Sequence, residues 1–232
     1  MINIVYVESS LELVPSEIIR HPSVRRNAKR KGKPPEENLL DRSLHHWAMD
    51  RLDNSEKRGR PDIIHFLLLE ALGSPLNKTG ELRIWIHTVQ DLCIYVNPEA
   101  RLPRDYNRFK SLIEQLYVDG RSPPNGDTIL LELRKININQ LRDSLNPDFV
   151  IGLTSRGEPS SFETLSKSLC DFNNPMVCIG AFPHGPYQKE TASIMNKQIN
   201  VYPEPLEAWI VNSRLIYELE KCLNVYNSQK IL

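Results

Sequence analysis

The chain has no C-x-x-C pair. Its four cysteines, Cys93, Cys170, Cys178 and Cys222, are scattered, and three lie in strand-like or helical apolar runs. That spacing excludes the usual zinc modules and points to buried free thiols in a reducing, intracellular setting. No apolar stretch approaches the roughly 18 residues that a membrane span needs. The start, MINIVYVESS, alternates like a strand and lacks the basic-then-apolar pattern of a signal peptide. HExxH, G-x-S-x-G, GxxxxGK[ST] and GxGxxG are all missing, so the common hydrolase and nucleotide-binding signatures do not apply. There is no internal repeat and no low-complexity segment. Net charge is also missing: 29 basic residues balance 29 acidic ones, leaving no overall pull toward a polyanion.

What is present is 232 residues, 40% hydrophobic and 25% charged, enough for one large domain with a real core. Residues 2–8 read as a strand, with a second near Leu11–Val14. The stretch RHPSVRRNAKRKGK, 20–33, holds seven Lys or Arg and no acid, and reads as a solvated basic loop, nucleic acid being the commonest partner of such a run when it has one. Residues 41–53 read as a helix with Leu44, Trp47, Ala48 and Leu52 on one face. RPDIIHFLLLEALG opens with Pro61 and closes with Gly73, the asymmetry expected of a helix, and its apolar residues surround it almost completely. ELRIWIHT and DLCIYVN alternate with period two and form a hairpin, with Leu82, Ile84 and Ile86 on one face and Arg83, Trp85 and His87 on the other.

ARLPRDYNRF then places Arg101, Arg104 and Arg108 together. Proline suits the first helical position, so the helix is expected to begin at Pro103 and run to about Val118. Arg104 would then sit at the positive end of the macrodipole, at a cost of roughly 0.3–1 kcal/mol unless an anion joins it. DTILLELRK reads as a strand. From about residue 140 helices and strands alternate: NQLRDSL, DFVIGLT, SFETLSKSL, MVCIGAF, INVYP and a long final helix. The strands at 148–153 and 176–182 are nearly all apolar, as parallel strands covered on both faces should be. The fold class is α/β.

Ligands of open α/β sheets bind at the carboxyl ends of the strands. In this chain those ends run into GLTSRGEPSS, GAFPHGPY and VYPEPLEAW. Stiff loops of this kind can hydrogen-bond a purine edge through their backbone, and can equally be tight turns.

RGRPDIIHFLLLEALGSPLNKTGELRIWIHT, NPEARLPRDYNRFKSLIEQL and GAFPHG together resemble the pseudouridine N1-methyltransferases of small-subunit ribosome biogenesis, in the SPOUT, or α/β-knot, superfamily. The likeness covers roughly 58–118 and 148–223. It implies a single Rossmann-like domain over 1–232 with a basic loop at about 20–40, a hairpin extension at about 78–98 and a knotted cofactor-binding part at about 148–223. It implies an S-adenosylmethionine site in the knot loops, which in this chain comprise Leu153, Thr154 and Gly157; Ile179, Gly180, Ala181, Phe182 and Gly185; and Val201, Tyr202 and Leu206. It implies a cytoplasmic homodimer, for which Trp209, Ile210, Ile216 and Leu219 are compatible, with small-subunit rRNA as partner and neither metal nor membrane.

The same likeness assigns Arg60 and Asp62 to the target base, and Arg60, Arg101, Arg104 and Arg108 to RNA. Arg60 would orient the base and stabilise anionic charge, while Asp62 would bind the base edge or accept its proton. The plainer alternative makes Asp62 a favourable first-turn acid with Arg60 as its partner, and pairs the other arginines with Glu99, Asp105 and Glu114. His65 reads as a core histidine. Trp85 could stack an unpaired base or simply be packed. A different class of function remains beside the enzyme: an rRNA-binding assembly factor with little or no required catalysis.

Overall fold

A computed structural model describes residues 1–226. Its strands are β1 (Ile2–Ser9), β2 (Leu82–Thr88), β3 (Cys93–Val96), β4 (Arg121–Ser122), β5 (Leu131–Arg134), β6 (Phe149–Pro159), β7 (Pro175–Gly180) and β8 (Lys197–Asn200). Its helices are α1 (Pro22–Lys31), α2 (Arg42–Met49), α3 (Pro61–Gly73), α4 (Pro75–Lys78), α5 (Tyr106–Asp119), α6 (Ile138–Leu145), α7 (Phe162–Cys170), α8 (Lys189–Ser193) and α9 (Ala208–Cys222). The strands form one mixed sheet in the order β4-β5-β3-β2-β1-β7-β6-β8. From β2 through β8 in that order every neighbouring pair is parallel, and β3, β5 and β4 add antiparallel strands on the other side.

All eight residues of β1 are buried, because helices cover both faces of the sheet. On one face Ile4, Tyr6, Ile84 and Ile86 pack under residues of α3, α5, α7 and α9. On the other, Val5, Val7, Trp85 and Cys178 meet Ile138 and Leu141 of α6. A smaller cluster of Val24, Ala48, Met49 and Leu52 joins α1 to α2.

The helix spanning residues 61–73, the hairpin and the parallel strands lie where the patterns place them. Several expectations change. The hairpin joins the sheet itself, with β2 parallel to β1 and β3 antiparallel to β2. Leu11–Val14 contributes only an isolated bridge between Leu13 and Leu39. The basic loop is the helix α1, which opens at Pro22 and closes on Gly32 at φ 65°. Two buried positions a turn apart, Val24 and Ala28, make an apolar stripe too thin to read as periodicity. Trp47 is 74% exposed, since α2 buries His45, Ala48 and Met49 instead. Phe66 likewise emerges from α3 at 48%.

Helix α5 starts at Tyr106, not Pro103. The Asp105 carboxylate accepts from the Arg108 N–H at 2.9 Å and caps the first turn. Asparagine, aspartate and serine lead at this position, and in α5 the cap overrides the proline signal. Arg104 therefore precedes the helix, and the supposed clash with its dipole does not arise.

Buried polar contacts fasten α1 and α2 to α5. Lys110 reaches Asp41 at 2.7 Å, and Glu114 receives Lys31 at 2.6 Å and Lys33 at 3.2 Å. Beside them His45 accepts the Asp41 N–H at Nδ1, 3.1 Å away. Burial holds the His45 imidazole down to about 4, against the attraction of Asp41. The unfolded chain, with an ordinary histidine near 6.5, binds this proton first. Stability should therefore decline as pH falls from about 6.5 to about 4 and then level off, with a total of roughly 3 kcal/mol from this group. Urea midpoints collected across that window, compared with His45→Gln, measure the contribution; equal slopes would remove it.

Candidate functional site

The carboxyl ends of β6, β7 and β8 open onto a cavity of about 320 Å³. That is within the size range of small-molecule sites. Three chain segments build its wall. Leu153, Thr154 and Ser155 come from β6, whose pairing with β8 is interrupted between Leu153 and Glu158. Ile179, Gly180, Phe182, Pro183, His184, Gly185 and Tyr187 come from the end of β7 and the loop beyond it. Val201, Tyr202, Leu206 and their neighbours lead from β8 into α9. Arg60 and Ile63 close the cavity from the start of α3.

Nine of the eleven residues expected around the cofactor line this space. Gly157 and Ala181 do not. A Cβ on Gly157 would lie 2.5 Å from the Ile199 nitrogen, so this glycine serves the close approach of β6 to β8. Ala181 is fully buried, and its N–H and carbonyl bond to Val7 and Ser10.

Contacts between residues distant along the chain hold the loops in place. The Tyr187 hydroxyl donates to the Leu153 carbonyl at 2.5 Å and lies 3.3 Å from that of Cys178, so one side chain ties two walls together. Beneath the second loop lies a buried ion pair. Lys57 reaches Glu8 at 2.6 Å, with side chains 8% and 1% exposed. The other Glu8 oxygen accepts the Gln188 N–H at 2.6 Å. Lys57 also donates to the Pro186 carbonyl and stands 4.3 Å over the Phe182 ring. Gly185, at φ 103°, passes so close that a Cβ would come 3.1 Å from the Lys57 side chain. An acid near the end of a largely apolar strand is the one sequence clue to Glu8. Nothing in its own neighbourhood marks Lys57.

Arg60 and Asp62 form a bidentate pair. Nε and Nη2 of Arg60 lie 2.8 and 2.7 Å from Oδ1 and Oδ2 of Asp62. The pair is partly open, at 36% and 28% exposure, and the bond to Asp62 raises the Arg60 pKa. Both carboxylate oxygens are thus engaged, and the Arg60 guanidinium hydrogen-bonds no other group among the described residues.

One turn along α3, His65 donates from Nε2 to the Pro103 carbonyl at 2.8 Å and stacks on Phe109 at 4.3 Å. It is a core histidine that docks the arginine segment beside the pair. Arg101, Arg104 and Arg108 are exposed there, and their guanidinium groups make no ion pair among the described residues. Glu114, a possible partner by sequence, is taken by Lys31 and Lys33. Trp85 is only 5% exposed, packed 5.2 Å from the Tyr95 ring with the Arg134 guanidinium 5.0 Å from its own, and cannot stack a base.

Among the described residues no cluster of side chains could hold a metal ion, and no helix is long and apolar enough to cross a membrane. A family model described as EMG1/NEP1 methyltransferase matches residues 4–220. The ribosomal RNA small subunit methyltransferase Nep1 of Staphylothermus marinus is 47% identical, over 97% of this chain and 97% of its own length. That of Thermococcus onnurineus is 41% identical, over 95% and 98%. A crystal structure of Archaeoglobus fulgidus Nep1 bound to S-adenosylhomocysteine superimposes with a TM-score of 0.86 at 40% identity, covering 96% of this chain and 98% of that one.

Proposed function

Because the chain belongs to the EMG1/NEP1 methyltransferase family, we propose that it methylates N1 of a pseudouridine in small-subunit rRNA, as a cytoplasmic enzyme of ribosome assembly using S-adenosylmethionine. The observation that carries this reading is the meeting of two things at one cavity: backbone-rich loops at the strand ends, and the Arg60 guanidinium in the same wall. The relative from Archaeoglobus fulgidus, alike over nearly the whole chain, carries the demethylated product of that cofactor.

The residues present suit the ligand. Gly180 and Gly185 let backbone come close, Ile179, Leu153 and Leu206 offer apolar contact, and Glu204 and Glu207 supply negative charge near a cationic ligand. When bound, S-adenosylmethionine supplies an electrophilic methyl group on a sulfonium. The chain's own task is to present a nucleophile in line with it and exclude water, which can supply several kcal/mol. Pseudouridine N1 bears a proton and attacks poorly while it keeps it. Arg60 orients the base and stabilises the negative charge that grows as the N1 proton passes to solvent at the partly exposed Arg60–Asp62 edge. Asp62 acts by holding two edges of that guanidinium and so fixing its direction.

Arg101, Arg104 and Arg108 grip the RNA backbone with free guanidinium forks. The reading includes a C-terminal knot and a homodimer. Ile210 and Tyr217, seven residues apart on α9 and 38% and 53% exposed, support a partner on that face.

Transfer of a tritiated methyl group to a pseudouridine-containing hairpin, and not to its uridine twin, is the expected result. Calorimetry should show S-adenosylhomocysteine binding. Cofactor heat without transfer to either hairpin would overturn the reaction, and no heat at all would favour the assembly factor.

A further inference from the structure

From the outer face of α1 we infer a second RNA-binding surface, which holds the backbone flanking the target nucleotide. The inference rests on the rRNA reading above and extends it to residues outside the arginine segment 101–108.

Helix α1 buries Val24, Asn27 and Ala28. Steps of 100° per residue place Arg25, Arg26, Lys29 and Arg30 on the opposite side, and all four are exposed. None of the four makes an ion pair among the described residues, and the one hydrogen bond from these side chains is Arg30 to Asn27 at 3.1 Å. Two other cations of the same stretch, Lys31 and Lys33, are consumed by Glu114. The chain distinguishes cations that anchor the helix from cations that it leaves in solvent. Since the whole protein carries no net charge, the excess is a segregated patch and not the trace of a generally basic surface.

The patch is held in a fixed relation to the arginine segment. Glu114 lies six residues beyond Arg108 on α5, a rise of about 9 Å. The free cations of α1 extend a further turn or two from the anchored Lys31. The Lys31–Glu114 pair, at 2.6 Å, therefore fixes α1 against the helix that begins next to the arginine segment. Asp41–Lys110, at 2.7 Å, braces the same junction. A cationic face braced against the helix that follows the arginine segment suits a continuous phosphate backbone better than an acidic peptide, which lacks an even charge repeat. Such a peptide, or an anionic membrane, is the competing occupant.

The test uses the full chain with all four residues changed to glutamine, which preserves helix propensity and removes the charge. Two pseudouridine-containing hairpins are compared, a minimal one and one extended by about six nucleotides on each side. The wild type should bind the extended RNA at least tenfold more tightly than the minimal one. The variant should lose that advantage while binding the minimal RNA within twofold. Its salt slope on the extended RNA should be shallower by about 2 to 3, at roughly 0.7–0.9 per phosphate contact. At saturating extended RNA its single-turnover methylation rate should match the wild type, so the change lies in KM and not in kcat. An unchanged thermal melting curve excludes misfolding, and a less drastic Arg26→Gln, Lys29→Gln pair should show a partial effect. Equal length dependence in variant and wild type would overturn the inference and leave the patch to a peptide or a membrane. Length-dependent binding by a wild type that methylates neither hairpin would instead defeat the enzymatic reading and support this one.

Discussion

Arg60→Ala should lower single-turnover methylation of a pseudouridine-containing hairpin by about 10²–10³-fold, the usual effect of removing one donor that stabilises developing negative charge. The geometry separates this from a folding defect. Arg60 and Asp62 are roughly a third exposed, so their pairing contributes at most about 1 kcal/mol to stability. The guanidinium lines the cavity, and Asp62 occupies its Nε and Nη2. Asp62→Asn keeps the shape but gives up one charge and one acceptor. The guanidinium then turns more freely, and misplacement of about 1 Å can itself cost up to about 10²-fold. The asparagine variant should fall between wild type and Arg60→Ala, with unchanged affinity for S-adenosylhomocysteine. If both variants transfer the methyl group at the wild-type rate, neither residue takes part in the transfer.

Lys57→Met should destabilise the fold by about 3–5 kcal/mol, because Glu8 is then left charged and buried without its partner. The remaining donor to Glu8 is the Gln188 N–H, on the very loop that Lys57 also holds through Pro186 and Phe182. The cavity wall should loosen with the core, so affinity for S-adenosylhomocysteine should drop at least tenfold. Combining Lys57→Met with Glu8→Gln removes the orphaned charge. The double variant should regain part of the stability, with a coupling in the range of about 0.5–3 kcal/mol, but little of the affinity, since the loop contacts stay lost. Urea unfolding and calorimetry on the four proteins of the cycle report both quantities. Wild-type affinity in Lys57→Met would show that the ion pair supports the core alone.

Much of the architecture is legible in the order of residues. Helix α3 carries its own start and stop, Pro61 and Gly73, and an apolar run that only burial explains. The hairpin shows itself by strict alternation. The departures share a cause. At Pro103 and Asp105 two helix-start signals compete, and the residue able to accept the Arg108 N–H decides the boundary. In α1 the charge is conspicuous and the two-residue apolar stripe is not. Trp47 and Trp85 look alike by residue type, yet one is 74% exposed and the other 5%. An indole's surroundings depend on which faces other elements cover.

The cavity follows the same division. Its loops are recognisable from glycines and prolines at strand ends and from the family likeness, but Gly157, expected to touch a ligand, is demanded by the Ile199 backbone. Glu8, Lys57 and Tyr187 escape a reading of the sequence, because each acts on a segment distant along the chain: Glu8 on Lys57 49 residues away, Tyr187 on Leu153 34 residues away.

By itself, then, the order of residues determined most of the elements, the fold class and the identity of the chemical groups, since periodicity, caps and motif chemistry are local. Only the tertiary structure decided which charges are spent on one another and which stay free. Glu114 meets Lys31 and Lys33 across some 80 residues and leaves Arg101, Arg104 and Arg108 without an ion-pair partner among the described residues. Ion pairing falls off within a few ångströms, and distance in space is what folding alone supplies.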